Sequence, residues 1–405
     1  MSTAAFTTEF GVRSKEYAAV AAHGEAITDS GLFDGPEWPA ADPRRGGADL
    51  VRELDDELRD LVRECAVTPR FSWPRFLARH RADDTTEQLL ALLNHRAFQF
   101  NSRAAFGGRD SPWRPRLAAC VAEGRPVEVV IPAFCVIGNP VKRFDTHRAT
   151  AAEDVALLHL ARIARLIGGL HEPGAVFHIV SDSTFYSPAM GVTSIAALNY
   201  LLELGDRIDA LGLGGHLVLH DMTDLLQPTA DLFQRRFELW FARLRRDPLA
   251  DGLSAAEHAR WVSSMLASLD IGKLGLDFAE LRATFAGRAG MRAPLLARAE
   301  WALAEYRAGK LAATDLEWEE RAFPGAIRAT IHTKPIPVLG LRLFPEFKCS
   351  AKLLPYHGIG VVDRSSRTGE YRMGVRPEMF VHGRPDMRRV VDRRGVTSFY
   401  LHTPE

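Results

Sequence analysis

The spacing of apolar residues along the chain changes near residue 125, from a helical period to short β-branched runs. Upstream, ADLVRELDDELRDLVREC (48–65) places leucine and valine at helical intervals with charged residues between them, which predicts an amphipathic helix. SWPRFLARH and TTEQLLALLNHRAF continue this pattern, and Thr85-Thr86-Glu87 is typical of a helix start. The residues before 48 end in the Pro-, Gly- and Arg-rich stretch GPEWPAADPRRGG, which favours an irregular arm.

From residue 126 onward, apolar runs and helical patterns alternate. PVEVVIPAF (126–134), AVFHIV (175–180) and GHLVLHDM (215–222) are typical of buried strands. Between them lie AAEDVALLHLARIARLIGGL (151–170), which ends at a Gly-Gly stop, and TSIAALNYLLELGDRIDAL, both with helical spacing. This order predicts the α/β class, with a Rossmann-like, mostly parallel sheet and crossover helices.

The rest of the chain predicts more helices and then strands. ADLFQRRFELWFARLRRD, SAAEHARWVSSMLASLDI and APLLARAEWALAEYRAG have helical patterns, whereas GAIRATIHTK, LGLRLF, GIGVVDR and GEYRMGV favour strands. We therefore expect three regions: an N-terminal arm and helical region (1–125), an α/β core (126–245), and helices followed by a β-rich segment that completes the active site (246–405).

Polar residues follow the predicted parallel strands, where ligands bind in sheets of this kind. Ser181, Asp182 and Ser183 end the strand that begins at residue 175, and Lys142 and Arg143 lie in the loop after the first strand. A carboxylate at a strand end can bind hydroxyls or act as an acid or base. The alternative is that Asp182 caps a helix or a turn. The basic pair could hold a phosphate or simply be solvated.

A second group of candidates lies in the β-rich part. Arg328 and His332 are four residues apart in a predicted strand and so face the same side. Arginine forks around phosphate or carboxylate, and histidine can shuttle protons. Arg342 and His357 lie in or before neighbouring strands and could join them. Each residue alone could equally be structural.

The segment H-x-x-x-H-D-x-x-D, formed by His216, His220, Asp221 and Asp224, contains metal-ligand residue types. Its spacing matches no helical zinc motif, and the pattern is more typical of a cross-strand histidine followed by a helix-capping aspartate. The four cysteines are far apart and form no C-x-x-C pair. We therefore assign no metal site and no disulfide framework.

The charge balance and termini narrow the class of protein further. The chain has 51 basic and 51 acidic residues, which gives no reason to expect a nucleic-acid or membrane-surface protein. The N-terminus has no signal-peptide pattern, and no run of about 18 uncharged apolar residues exists. The expected location is the cytoplasm.

Several segments resemble, in order, the isonitrile (isocyanide) synthases of the pyoverdine/dityrosine biosynthesis type. The likeness extends from residue 126 to about 375. The segments that carry it are IPAFCVIG, AAEDVALLHLARIARLIGGL with Glu153, EPGAVFHIVSDS with Asp182, Arg328-Ala-Thr-Ile-His332, and Pro355-Tyr356-His357-Gly358.

The resemblance implies an enzyme that joins an amino acid, often tyrosine or tryptophan, to ribulose 5-phosphate, whose carbonyl carbon becomes the isonitrile carbon. It implies no redox cofactor and no metal. The pathway partner it suggests is an iron/2-oxoglutarate oxygenase, and self-association into a homo-oligomer stays open. Transferred to this sequence, the resemblance suggests catalytic roles for Asp182, His332 and His357, and substrate-binding roles for Lys142, Ser181, Ser183, Arg328 and Arg342.

Three positions depart from the family pattern and leave alternatives open. Ile137 and Val338 stand where the family has lysines, and Ser183 replaces a glycine. The departures put in doubt which co-substrate is used and whether activity is retained. The alternatives are amine N-formylation or another one-carbon transfer, a binding or scaffold protein without activity, and a metal hydrolase that uses His216, His220 and Asp221.

Overall fold

A computed structural model describes much of the chain. The described residues are 52–53, 56–67, 71–99, 111–136, 138, 142–145, 147–266, 268–269, 292–331, 338–345, 354–364, 369–378, 381–392 and 394–403. The predicted N-terminal arm, His332 and Ile137 lie outside the described residues.

Helices surround two sheets. The helices are α1 (Asp56–Cys65), α2 (Trp73–Arg79), α3 (Thr85–Leu93), α4 (Trp113–Glu123), α5 (Ala151–Gly168), α6 (Ser183–Met190), α7 (Ser194–Ala210), α8 (Met222–Leu226), α9 (Ala230–Arg246), α10 (Ala255–Leu266), α11 (Arg292–Asp315) and α12 (Trp318–Ala322). The strands are β1 (Arg52–Glu53), β2 (Val127–Pro132), β3 (Ala175–Ser181), β4 (Leu217–Asp221), β5 (Ile327–Thr330), β6 (Leu339–Gly340), β7 (Ile359–Arg364), β8 (Tyr371–Arg376), β9 (Met387–Val391) and β10 (Thr397–His402).

The central sheet is parallel throughout its five strands, in the order β4-β3-β2-β5-β6. Val130 of β2 lies opposite His178 of β3 on one side and Arg328 of β5 on the other. Helices α5 and α7 form the crossovers from β2 to β3 and from β3 to β4. The predicted α/β class with a mostly parallel sheet is confirmed.

The second sheet, in the order β1-β9-β10-β7-β8, is built mainly from the C-terminal part. Strand β10 runs parallel to β7 and antiparallel to β9, so this sheet is mixed. The β-rich C-terminal part was expected, but strands β9 and β10 were not predicted. Two arginines in MRRVV interrupt the apolar run that would have marked β9.

The helix predicted over 48–65 begins only at Asp56. Arg52 and Glu53 instead form a short strand that pairs with Val390 and Val391 of β9. The spacing of apolar residues predicted a helix there, but this local pattern carries no information about a strand more than 300 residues away. Pairing with that strand overrides a weak local helix preference.

Helix α5 is the element that joins the two sheets. Thirteen of its eighteen residues are buried, and it packs against β3 of the central sheet and against β7, β8 and β10 of the second sheet. Its N-terminus is fixed by a capping box, in which Thr150 and Glu153 satisfy each other's backbone N–H groups. A helix that is apolar on most sides is expected to be enclosed in this way.

The loop after β2 is anchored to α5 by a buried ion pair. Arg143 donates to Glu153 over 2.8 Å, and the hydroxyl of Tyr200 donates to the same carboxylate oxygen over 3.1 Å. Both charged side chains are almost fully buried, at 2% and 0% exposure. The loop that contains Lys142 is therefore held against the core rather than left at the surface.

No helix in the described part of the chain has both the length and the apolar composition that crossing a bilayer requires.

We predict that Arg143→Met lowers the free energy of unfolding by about 3–5 kcal/mol, because it leaves the Glu153 carboxylate buried without its cation. Urea denaturation measures this difference. The matched control is Arg125→Met, since Arg125 pairs with Glu123 at the surface over 2.5 Å. Breaking an exposed pair should have a much smaller effect, and equal losses in the two variants would contradict the prediction.

Candidate active site

A cavity of about 140 Å³ lies at the carboxyl ends of β2, β3 and β5. This is the edge of a parallel sheet at which ligands bind. Helices α6, α10, α11 and α12 supply its other walls, and the short 3-10 turn Pro355–His357 before β7 contributes from the second sheet. Asp182, Arg328 and His357, which the sequence singled out separately, all line it.

Asp182 directs its carboxylate into this cavity instead of capping α6. It occupies the N-cap position, but its side chain makes no capping hydrogen bond. Within the described residues its Oδ1 has no hydrogen-bond partner. Burial raises the pKa of Asp182 to about 6, and the nearby Lys310 ammonium and a hydrogen bond with Cys135 oppose part of that rise. The capping alternative for Asp182 therefore does not hold, and a buried carboxyl with this pKa suits proton transfer near neutral pH.

Helix α11, which contains Lys310, packs closely on α6, which begins directly after Asp182. At Gly309 the two helices approach so closely that a Cβ atom would lie 2.7 Å from the ring of Phe185. The next residue, Lys310, lines the cavity, with its ammonium 5.4 Å from the ring centre of Tyr306 and 5.8 Å from that of Trp261. These rings stabilise the cation through their negative faces.

Arg328 on β5 forms the cationic wall. Its Nε lies 2.6 Å from Glu319 of α12, and its Nη1 donates to the carbonyl of Ala329. A guanidinium has five N–H donors, so these contacts use only some of them. The ion pair fixes the guanidinium in place at the cavity wall, where it can bind an anionic group.

His357 is backed by a buried lysine. The Nζ atom of Lys142 lies 3.5 Å from Nδ1 of His357, and burial lowers the pKa of Lys142 to about 7. Lys142 is 3% exposed and lies behind His357 rather than on the cavity wall. The backbone N–H of Glu378 donates to the carbonyl of Lys142 over 2.8 Å, which ties this loop to the second sheet.

Tyrosine and tryptophan rings make up much of the remaining wall. The rings of Tyr186 and Tyr306 lie 4.3 Å apart, and Tyr356 lies near both Asp182 and Tyr306. Burial raises the pKa of all three tyrosines well above 10, so their phenols stay neutral and can donate hydrogen bonds. Within the described residues the hydroxyl of Tyr186 has no partner.

Cys135 also lines the cavity. Burial, with the Asp182 carboxylate nearby, raises the pKa of its thiol well above 9. Because the thiolate is the nucleophilic form, a thiol held protonated in this way is inert.

A second cavity of about 320 Å³ adjoins the first. Thr314, Trp318, Glu319 and Arg328 line both, so the Arg328–Glu319 ion pair lies in the wall between them.

Ser181 and Ser183, predicted to bind substrate, are not among the described residues that line the cavity. Both are buried, and both hydroxyls donate to the carbonyl of Phe134, over 3.0 and 2.9 Å. The Ser183 hydroxyl also accepts from the N–H of Val136. Phe134 has a φ of 63°, which is unfavourable for a residue with a side chain. The serines therefore hold the strained turn that brings Cys135 to the cavity.

Arg342 lies away from the cavity. The backbone N–H of Arg342 donates to the carbonyl of Phe98 over 2.7 Å. The charge of its guanidinium helps to lower the pKa of the buried His159 to about 3. The sequence placed Arg342 near Arg328 because both belong to predicted neighbouring strands, but their side chains lie in different surroundings.

The histidines considered as metal ligands do not converge. The Nε2 of His220 is 3.0 Å from Nδ1 of His178 on β3, whereas His216 precedes β4. Asp221 caps α8 by accepting from Thr223 over 2.8 Å. The described part of the chain contains no group of three or more His, Cys, Asp or Glu side chains placed to hold a metal ion.

Lys310 and Tyr306 are cavity residues that the sequence analysis missed. They lie four residues apart in α11, and Thr314 lies four residues further on, so one face of the helix lines the cavity. This polar face at an i, i+4, i+8 spacing was the available signal. It was hidden because polar residues at that spacing are also typical of a solvent-exposed helix face.

The geometry is that of an α/β protein with a substrate-sized cavity at the carboxyl edge of its parallel sheet. Residues 117–258 match the family model described as pyoverdine/dityrosine biosynthesis protein. These comparisons, with those below, confirm the resemblance to the isonitrile synthase family that the ordered motifs predicted.

Two relatives and one solved structure support the resemblance to the isonitrile synthase family. An isocyanide synthase A of Aspergillus fumigatus is 29% identical over 139 residues, which is 32% of this chain and 22% of that protein, so the chain spans about a fifth of that relative. The L-tyrosine isonitrile synthase of Pseudomonas aeruginosa is 25% identical over 61% of this chain and 73% of its own length. The crystal structure of the PvcA protein from Pseudomonas aeruginosa has a TM-score of 0.51 at 22% identity, covering 78% of this chain and all of that one, which supports the fold.

We predict that Asp182→Asn stabilises the protein at neutral pH. The folded pKa of about 6 exceeds the ordinary value of 3.8, so the wild-type protein loses stability as the pH rises through this interval. Asparagine does not titrate, so its advantage should grow from near zero at about pH 4 to as much as about 3 kcal/mol above pH 7.

Thermal unfolding at several pH values measures this difference. The matched control is Asp221→Asn, because Asp221 also ends a strand but caps a helix, and its replacement should give no gain. A pH-independent difference for Asp182→Asn would contradict the prediction.

Proposed function

We propose that the protein is an isonitrile synthase-like enzyme that condenses the amine of an amino acid with the ketone of ribulose 5-phosphate. The observation that carries this proposal is the cavity in which a buried carboxylate, Asp182, meets cationic groups and histidine among aromatic rings. The named activities of the relatives support the same class of reaction.

The first chemical requirement is a neutral amine, because an ammonium group cannot attack a ketone. Asp182 can bind the substrate ammonium and accept its proton, since its pKa of about 6 leaves it ionised at neutral pH. The amine then attacks the sugar's carbonyl carbon, and loss of water gives an imine.

The departing water needs a proton, and His357 lines the cavity at a position to supply one. Lys142 behind it has a pKa of about 7, so it can exchange protons with His357 near neutral pH. We propose His357 as the general acid and Lys142 as its positioning partner. His332, which the family resemblance also implies, stays a candidate outside the described residues.

The two substrates carry a carboxylate and a phosphate, which need cationic partners. Arg328 is positioned for one of them, since it faces both cavities beside Glu319. The aromatic walls, including Tyr186 and Trp261, favour an aromatic amino acid side chain. An iron/2-oxoglutarate oxygenase that acts on the isonitrile stays our proposal for a pathway partner.

The direct test is incubation of the protein with ribulose 5-phosphate and a panel of amino acids, followed by mass spectrometry. We expect an isonitrile from an aromatic amino acid. We expect Asp182→Asn to reduce turnover by about 10²–10⁴-fold, with thermal unfolding as the control for folding. An N-formyl product would favour the one-carbon-transfer alternative, and tight sugar-phosphate binding without turnover would favour the binding protein.

We further predict an acid limb near pH 6 in the dependence of kcat/KM on pH. Protonation of Asp182 removes the proton acceptor, so the rate should fall as the pH decreases below its pKa. Because a histidine can give a limb in the same region, His357→Gln serves as the control. Its residual activity should keep the limb, and loss of the limb in His357→Gln would contradict the assignment to Asp182.

A further inference from the structure

The two lysines of the described residues occupy different positions around the cavity. Lys142 lies behind His357, whereas Lys310 lines the cavity wall. Of these two described lysines, Lys310 is the one whose amine can contact a small molecule in the cavity. The condensation outlined above assigns Lys310 no role, which leaves the reactivity of its amine unassigned.

The surroundings of Lys310 suit an amine that reacts with a carbonyl group. Aromatic rings of Tyr306 and Trp261 flank it, and the Asp182 carboxylate is close enough to interact with its charge. The amine becomes nucleophilic only when its ammonium group loses a proton, and the nearby carboxylate can accept that proton, as proton acceptors do where proteins form Schiff bases with carbonyl substrates.

The close packing at Gly309 makes this arrangement rigid. The neighbouring rings of Phe185 and Tyr186 leave no room for a larger residue there. The backbone of Lys310 is therefore fixed relative to α6, which begins directly after Asp182. A positioned nucleophile of this kind needs little reorganisation when it reacts.

We propose that Lys310 is a catalytic nucleophile that holds the carbonyl co-substrate, a ketose phosphate, as an imine before the amino acid reacts. The identity of the co-substrate rests on the proposed function. The binding of a ketone by Lys310 rests on the geometry of the cavity.

The sequence of bonds is balanced without an oxidant or reductant. Lys310 transfers a proton to Asp182, and its Nζ then attacks the ketone carbon to give a carbinolamine. The carbinolamine oxygen takes up a proton and leaves as water, which gives the protonated imine. The amine of the amino acid adds to the same carbon, and the Lys310 amine leaves. The net change is the same amine-plus-ketone condensation with loss of one water.

The first experiment is reductive trapping. The full chain is incubated with ribulose 5-phosphate alone, treated with borohydride, digested and mapped by mass spectrometry. We expect Lys310 to carry an adduct with the mass of the sugar phosphate less one oxygen atom, and Lys142 to stay unmodified. The absence of a Lys310 adduct, or an adduct at another lysine instead, would overturn the proposal.

The second experiment separates a nucleophile from a simple charge. Lys310→Arg keeps a cation beside Asp182 but cannot form an imine, and Lys310→Met removes both features. We expect both variants to lose about a hundredfold or more in kcat/KM while unfolding at temperatures close to that of the wild type. Near-normal turnover in Lys310→Arg would show that only the charge is needed and would overturn the proposal.

The two proposals can fail separately. A trapped Lys310 adduct without an isonitrile from any amino acid would keep the imine and remove the proposed function. An isonitrile product without a trapped adduct, and with active Lys310→Arg, would keep the proposed function and remove the nucleophile.

Discussion

The constraint that shapes the cavity is the burial of the Asp182 carboxylate after β3, which raises its pKa, while the nearby Lys310 ammonium of α11 opposes part of that rise. A carboxylate taken out of water is unfavourable unless a cation or hydrogen bonds compensate. The compensation here is incomplete, since the pKa of Asp182 still rises to about 6 and its Oδ1 has no partner within the described residues. The site is therefore prepared to receive a further cation or hydrogen-bond donor.

The same cavity requires the two sheets to be held in a fixed relation. The central sheet supplies Asp182 and Arg328, whereas His357 belongs to the turn that enters the second sheet. Helix α5 packs against both sheets, and the buried pair of Arg143 and Glu153 fixes the loop after β2 to that helix. A buried ion pair costs free energy unless its hydrogen-bonding groups are well paired. Here the pair holds in place the loop that contains Lys142, the partner of His357.

The alternation of strands and helices after residue 126 was enough to predict the parallel sheet and the edge where the cavity lies, because both follow from local periodicity and chain topology. Asp182 and Arg328 could be found because they end or occupy those strands. Lys310 could not, because its role arises from the approach of α11 to α6 at Gly309, about 127 residues along the chain from Asp182. Ser181 and Ser183 were predicted to bind substrate from the family resemblance and from their place at the strand end, neither of which shows the direction of a side chain.

A comparison of the two strand-end aspartates shows why residue type and position leave the role undecided. Asp221 ends β4, and its carboxylate accepts from the backbone N–H of Thr223 in α8 and from the hydroxyl of Thr184 in α6. Asp182 follows the adjacent strand β3 at the same edge, but it makes no capping bond to α6. The groups that interact with Asp182 are different, since Lys310 and Cys135 stand in place of a threonine hydroxyl and a helix N–H. One carboxylate therefore stabilises the fold, and the other keeps its capacity to bind and to accept a proton.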